Sequence, residues 1–137
     1  MPWIVVNIRW IMVLSGALTA TMVYAAIAPE AALTTTFGET LDGPLAHVVV
    51  RNWGALIALV GAMLVYGAFD PAARPLALVV GGVSKAIFIG LVLAHGRRYL
   101  GEQVSVALAI DGVMIVLFAW YLFSARRIAK PIAPALL

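Results

Sequence analysis

The sequence predicts an all-α integral membrane protein: an antiparallel four-helix bundle with both termini on the same side of the bilayer. Of the 137 residues, 64% are hydrophobic and 11% are charged, whereas soluble domains average about 45–50% and about 25%. Four apolar runs have about the 20 residues or more that a helix needs to cross about 30 Å of hydrocarbon. This composition excludes a soluble enzyme. The absence of cysteine excludes thiol chemistry and iron–sulfur clusters.

Turn and cap residues separate the apolar runs. The whole chain, residues 1–137, is predicted to be a single transmembrane domain. The predicted spans are residues 3–28, 45–69, 76–94 and 104–123. Pro44 stands where a helix accepts proline in its first turn, and Asp70-Pro71 begins a tight link between the second and third spans. Ala26-Ile27-Ala28 is typical of a signal-peptide cleavage site. Pro29 directly after it disfavours cleavage, so we expect the first run to remain as a span.

The longest loop, residues 29–44, follows the first span. In it Leu33, Phe37 and Leu41 recur every four residues, which places them on one face of a helix. We expect a short helix lying on the membrane surface, with a lid over the bundle as the alternative.

Basic residues near the span ends predict the orientation, because cytoplasmic segments carry the excess of lysine and arginine. With both termini in the cytoplasm, five basic residues fall on that side and two on the other. The cytoplasmic set is Arg9, Arg74, Arg126, Arg127 and Lys130, and the outer set is Arg97 and Arg98. We therefore expect a multi-pass protein of the bacterial cytoplasmic (inner) membrane. The net charge of +3 reflects this topology, so the lipid bilayer is an expected partner and nucleic acid is not.

Small residues form ridges that let helix backbones approach closely in lipid. The longest ridge is on the third span, at Gly82, Ala86, Gly90 and Ala94. Gly16 in the first span and Gly61 in the second belong to similar strips. These ridges indicate packing within one protomer or, alternatively, the interface of a homo-oligomer.

Two ionisable residues lie deep in the predicted spans, where charged groups are costly and often functional. Lys85 lies about ten residues below the outer surface and Asp111 about eight, which is nearly the same depth at 1.5 Å per residue. We therefore predict a buried Lys85–Asp111 pair. It is either an ion pair that fixes helix register or part of a site for a ligand, an ion or a proton.

Other polar residues lie in the outer half of the predicted bundle. His47 and Arg51 share a face of the second span because they are four residues apart, and Asn52 follows directly. His95 ends the third span. We expect Arg51 to pair with an acidic residue: Asp111, Glu39 or Asp42. The predicted ligand-binding cluster comprises His47, Arg51, Asn52, Lys85, His95 and Asp111.

The two histidines also raise the possibility of metal chemistry. His47 and His95 at one membrane level could ligate a haem b iron, or join a carboxylate at a zinc ion. Both are less favoured than an interfacial position for the two rings. The chain has no HExxH, GxSxG, P-loop or Rossmann motif.

Val50-Arg51-Asn52-Trp53-Gly54 at the start of the second span, together with Lys85 and Asp111, resembles small bacterial four-helix membrane proteins, including the DoxX-like family. The resemblance extends over nearly the whole chain as a pattern and implies the same four-helix architecture. It implies no catalytic residue.

Three functions follow as hypotheses. The first is binding or transport of a small ligand, with Arg51 and Lys85 meeting an anionic group and Asp111 balancing the charge. The second is an accessory or structural subunit of a larger membrane complex. The third is a membrane-embedded redox or haem-binding subunit that uses His47 and His95.

Overall fold

A computed structural model describes residues 2–129, and every element in that range is helical. The helices are α1 (Trp3–Ala20), α2 (Val23–Ile27), α3 (Pro29–Phe37), α4 (Pro44–Phe69), α5 (Arg74–His95), a short 3-10 helix (Arg97–Tyr99) and α6 (Glu102–Ala129). Four stretches are long and apolar enough to cross a membrane, namely Trp3–Ile27, Pro44–Phe69, Arg74–His95 and Glu102–Ile128. The prediction of an all-α chain with four candidate membrane-spanning helices is confirmed. Lys130 lies outside the described residues.

The first candidate span is interrupted between α1 and α2. The Thr19 hydroxyl donates to the Ser15 carbonyl at 2.7 Å, and the Thr21 hydroxyl donates to the Leu18 carbonyl. Such back-bonding competes with the helix's own hydrogen bonds and bends it. The Met22 N–H donates to the carbonyl of Thr19, three residues earlier, instead of to that of the residue four positions earlier. The short α2 that follows packs against α3 and α4.

Residues 29–37 form the helix expected in the long loop. Pro29 opens α3, and Gly38 ends it in the left-handed conformation, at φ 75°. Leu33 is buried and Phe37 half-buried, but Leu41 lies beyond the helix and is 56% exposed. The predicted apolar stripe therefore ends at Phe37. The position of α3 at the membrane surface stays a prediction.

Glycine allows α1 and α4 to pack in backbone contact. A Cβ added at Gly61 would lie 2.5 Å from the Ala20 nitrogen and 2.6 Å from the Gly16 carbonyl oxygen. A Cβ at Gly54 would lie 2.7 Å from the Ala26 nitrogen. Neither position leaves room for a side chain, which supports the packing interpretation for the glycines of the first two spans.

Most of the small-residue ridge predicted on the third span does not pack within this chain, since Ala86, Gly90 and Ala94 are exposed. A Cβ at Gly90 meets nothing within 4 Å, and the nearest atom to one at Gly82 is on Phe118, at 3.8 Å. Gly81, one residue earlier, is buried, and a Cβ there would lie 3.0 Å from Leu64. The interpretation of this ridge as intraprotomer packing is therefore wrong from Ala86 to Ala94, because the glycine of α5 that packs closely against α4 is Gly81.

The buried apolar residues form two clusters. The larger joins α1, α4, α5 and α6, and comprises Ile8, Met12, Leu64, Ala68, Ala77, Leu78, Met114 and Phe118. The smaller joins α2, α3 and α4, and comprises Ala25, Ala32, Leu33 and Val50. Thr19, Lys85 and Asp111 lie one to two turns beyond the larger cluster along α1, α5 and α6. The deep polar residues therefore begin where the larger cluster ends.

Candidate functional site

Lys85 and Asp111 form the ion pair that the depth argument predicts. The Lys85 ammonium donates to Asp111 Oδ1 at 2.7 Å, and the two side chains are 10% and 19% exposed. α5 and α6 pack against each other, which brings the two residues together across the interface. A pair this shielded attracts strongly, but each ion has also lost most of its hydration.

Thr19 extends the pair to a third helix. Lys85 Nζ donates to Thr19 Oγ1 at 3.2 Å, and the Thr19 hydroxyl donates to the Ser15 carbonyl at 2.7 Å. An ammonium has three N–H donors and a carboxylate has two acceptor oxygens. Within residues 2–129, one Lys85 N–H and Asp111 Oδ2 therefore remain without a protein partner. These two groups are available to a molecule beside the pair.

A cavity of about 390 Å³ adjoins the pair. Its walls are mostly apolar, with aromatic rings from Trp53 and Phe88. The polar residues along it, besides the pair, are Thr19, Thr21, Thr36, Ser84 and Gln103. An apolar pocket of about 300–1,000 Å³ with a few convergent polar groups is typical of a small-molecule site.

Of the six residues in the predicted cluster, Lys85 and Asp111 line this cavity and the other four do not. Arg51 donates to the Ala26 carbonyl at 2.7 Å and approaches the Ile27 carbonyl at 3.4 Å. The expectation of an acidic partner for Arg51 is therefore wrong. The helix breaks at Ala28, where φ is −131° and ψ is 71°, so these carbonyls at the end of α2 lack the usual N–H partners and attract a cation.

The two histidines lie apart from the pair. His47 Nε2 is 3.1 Å from Glu30 Oε1 on α3, whereas His95 ends α5 and is exposed. Asn52 is also exposed on α4. Within residues 2–129, no group of three or more His, Asp or Glu side chains is arranged to hold a metal ion.

A polar network ties Glu39, two residues beyond the end of α3, to the link between α5 and α6. Arg98 donates to the Glu39 carboxylate at 2.7 Å and to the Tyr99 hydroxyl at 2.7 Å, and that hydroxyl donates to Glu39 at 3.0 Å. Tyr99 and then Glu39 raise the pKa of Arg98, and an arginine side chain stays charged in proteins in any case. The Phe37 ring contacts Tyr99 at 5.7 Å and Trp53 at 6.4 Å between centroids. Since Trp53 and Thr36 line the cavity, this network lies beside one end of it.

The sequence argument missed Thr19, although the same depth arithmetic reaches it. Thr19 lies nine residues before the end of the predicted first span. That depth is close to the depths of Lys85 and Asp111 below the same surface. It also missed Ser15, whose hydroxyl oxygen is buried without a hydrogen-bond partner within the described residues. Polar residues spaced four apart in an otherwise apolar span were the available signal.

In comparisons with known proteins, no protein-family model, curated protein or solved structure matches the chain.

Proposed function

We propose that this chain is an antiparallel four-helix membrane protein, with both termini in the cytoplasm, that binds a small molecule in the cavity beside Lys85 and Asp111. One observation carries the proposal: a largely shielded ion pair lines a cavity of about 390 Å³ whose other walls are mostly apolar. A pair that fixed helix register alone would need no cavity beside it. Intramembrane ionisable residues usually face a pathway or a binding cavity.

The charges around the cavity favour an uncharged ligand over the anionic one expected from the sequence. Lys85 is already neutralised by Asp111 at 2.7 Å, and Arg51 hydrogen-bonds the end of α2 instead of lining the cavity. An anion would have to compete with Asp111 for the lysine. A neutral molecule with a hydrogen-bond acceptor for Lys85 and a donor for Asp111 would leave the pair intact, and its apolar part would contact Trp53 and Phe88.

Filling the cavity without touching the ion pair tests the proposal. Ala107 lines the cavity on α6, whereas Ala109 is exposed on the same helix and does not line it. The wild-type chain, Ala107→Phe and the matched control Ala109→Phe are purified in mild detergent, and their organic extracts are compared by mass spectrometry. We expect a stoichiometric small molecule in the wild type and the control, and its loss from Ala107→Phe. Identical extracts from all three would contradict a ligand in this cavity.

A second candidate function is an accessory subunit of a larger membrane complex. The observation that favours it is the Thr19–Lys85–Asp111 network, which links three helices and could serve to fix the fold. In that case the chain should leave the membrane in mild detergent together with other polypeptides at fixed stoichiometry. A homogeneous species containing this chain alone would contradict the accessory role.

The redox hypothesis stays a prediction with less support. Neither His47 nor His95 lines the cavity, and the His47 ring meets Glu30 on α3. A Soret band in the visible spectrum of the purified protein would support the haem-binding hypothesis.

A further inference from the structure

A second cavity lies at the opposite end of α1 from the long loop and differs from the first in its polar lining. It has a volume of about 260 Å³ and is lined by Val5, Val6, Ile8, Arg9, Trp10 and Arg74. Arginines from two different helices thus line one cavity. An anion bound between two such cations would be attracted by both.

Most of the hydrogen-bond donors of these two arginines are unused. Arg74 donates Nε to the Gly67 carbonyl at 3.1 Å and Nη2 to the Ala68 carbonyl at 2.8 Å, which leaves three of its five N–H donors. The Arg9 guanidinium lies 5.7 Å from the centre of the Phe69 ring. Within residues 2–129 it makes no hydrogen bond, and neither arginine has a carboxylate within 4 Å.

The cavity lies where a membrane-spanning chain would meet lipid headgroups. Phe69 is the last residue of α4 and Arg74 is the first of α5. Trp10 is 65% exposed, and Trp3 stacks on Trp120 with ring centroids 6.3 Å apart. Tryptophan concentrates at this level of the bilayer, where its apolar ring and polar N–H are both accommodated.

We infer that Arg9 and Arg74 form a binding site for the phosphate of an anionic phospholipid headgroup. The planar guanidinium fork matches phosphate oxygens in a bidentate manner. Asp70 interacts electrostatically with Arg74, so one carboxylate offsets part of the charge of the two guanidinium groups. The positive charge that remains favours a headgroup with net negative charge over a zwitterionic one, whose own cationic group would be repelled. Basic pockets between helix ends hold such headgroups in other membrane proteins. This site is independent of the Lys85–Asp111 cavity.

Arg9→Gln tests the inference, because the Arg9 side chain makes no hydrogen bond within residues 2–129 whose loss could unfold the chain. Arg97→Gln is the matched control: Arg97 is exposed beyond the other end of α5 and donates to the Leu93 carbonyl. Each full-length chain is equilibrated in detergent with equal amounts of phosphatidylglycerol and phosphatidylcholine, and bound lipid is counted by native mass spectrometry. Circular dichroism verifies equal helix content.

We expect the wild type and Arg97→Gln to retain phosphatidylglycerol in preference to phosphatidylcholine. Arg9→Gln should lower that preference about fivefold, the effect of one basic residue at an anionic surface. An unchanged preference in Arg9→Gln would overturn the inference. A parallel experiment uses inorganic phosphate without lipid: phosphate adducts that depend on Arg9, with no preference between the two lipids, would also overturn it, since the ligand would then be free phosphate.

Discussion

Breaking the Lys85–Asp111 pair from one side should cost more stability than removing it altogether. At 2.7 Å the gross Coulomb attraction is about 6 kcal/mol for an effective dielectric constant of about 20. Desolvation offsets part of this, so we expect Lys85→Met or Asp111→Leu alone to lower the free energy of unfolding by about 3–5 kcal/mol, because each leaves a shielded charge unpaired. The double variant should lie within about 1–2 kcal/mol of the wild type, since apolar residues of similar volume replace both ions.

Denaturant unfolding in detergent micelles, followed by circular dichroism, measures all four corners of this double-mutant cycle. Coupling between the sites should be at least about 2 kcal/mol and favourable. If each single substitution costs under about 1 kcal/mol, or if the two costs simply add, the side chains are solvated and uncoupled, and the shielded pair described above is refuted.

Three further outcomes can be measured in the same way. Gly61→Leu should separate α1 from α4 and lower the free energy of unfolding by roughly 3–5 kcal/mol or more, as expected for severe overpacking against backbone. In its control, Gly90→Leu, the new side chain meets open space and should leave the free energy of unfolding unchanged. Equal effects of the two substitutions would contradict the described packing. Arg51→Met should cost about 1–2 kcal/mol by leaving the α2 carbonyls unpaired, and no loss relative to Asn52→Leu would contradict that role. Hydrogen bonds from the Tyr66 hydroxyl and, to a smaller extent, the Ala72 N–H lower the pKa of Asp70 below its ordinary value of 3.8. The stability that ionised Asp70 contributes to the fold should therefore be complete above pH 3.8 and be lost as the pH falls further. An Asp70→Asn variant with the same acid-unfolding profile as the wild type would contradict this role.

The four candidate membrane-spanning helices could be predicted because apolar run length is a property of the sequence alone. The break between α1 and α2 could not, since residues 3–28 read as one apolar run. It depends on where the hydroxyls of Thr19 and Thr21 donate. The helix in the long loop was predictable from the spacing of Leu33 and Phe37, and Gly38 ends it before Leu41.

The candidate site was predictable where depth decides contact and unpredictable where rotation about a helix axis decides it. Lys85 and Asp111 meet because they lie at similar depths on packed helices. Arg51 lies in the same half, yet it turns to carbonyls that exist as free acceptors only because the chain breaks at Ala28. His47 meets Glu30 because α3 folds back beside α4. Helix rotation also explains the error at Gly90, since a shift of one residue moves a side chain by about 100° around the axis.

Experimental density inside the first cavity tests the central claim most directly. A structure of the full chain, purified in mild detergent without added ligand, should contain a non-protein molecule bounded by Trp53 and Phe88, with polar atoms within hydrogen-bonding distance of Lys85 Nζ and Asp111 Oδ2. A cavity closed by side-chain repacking, or filled by a lipid tail that makes no contact with either ion, would contradict a binding site at this pair.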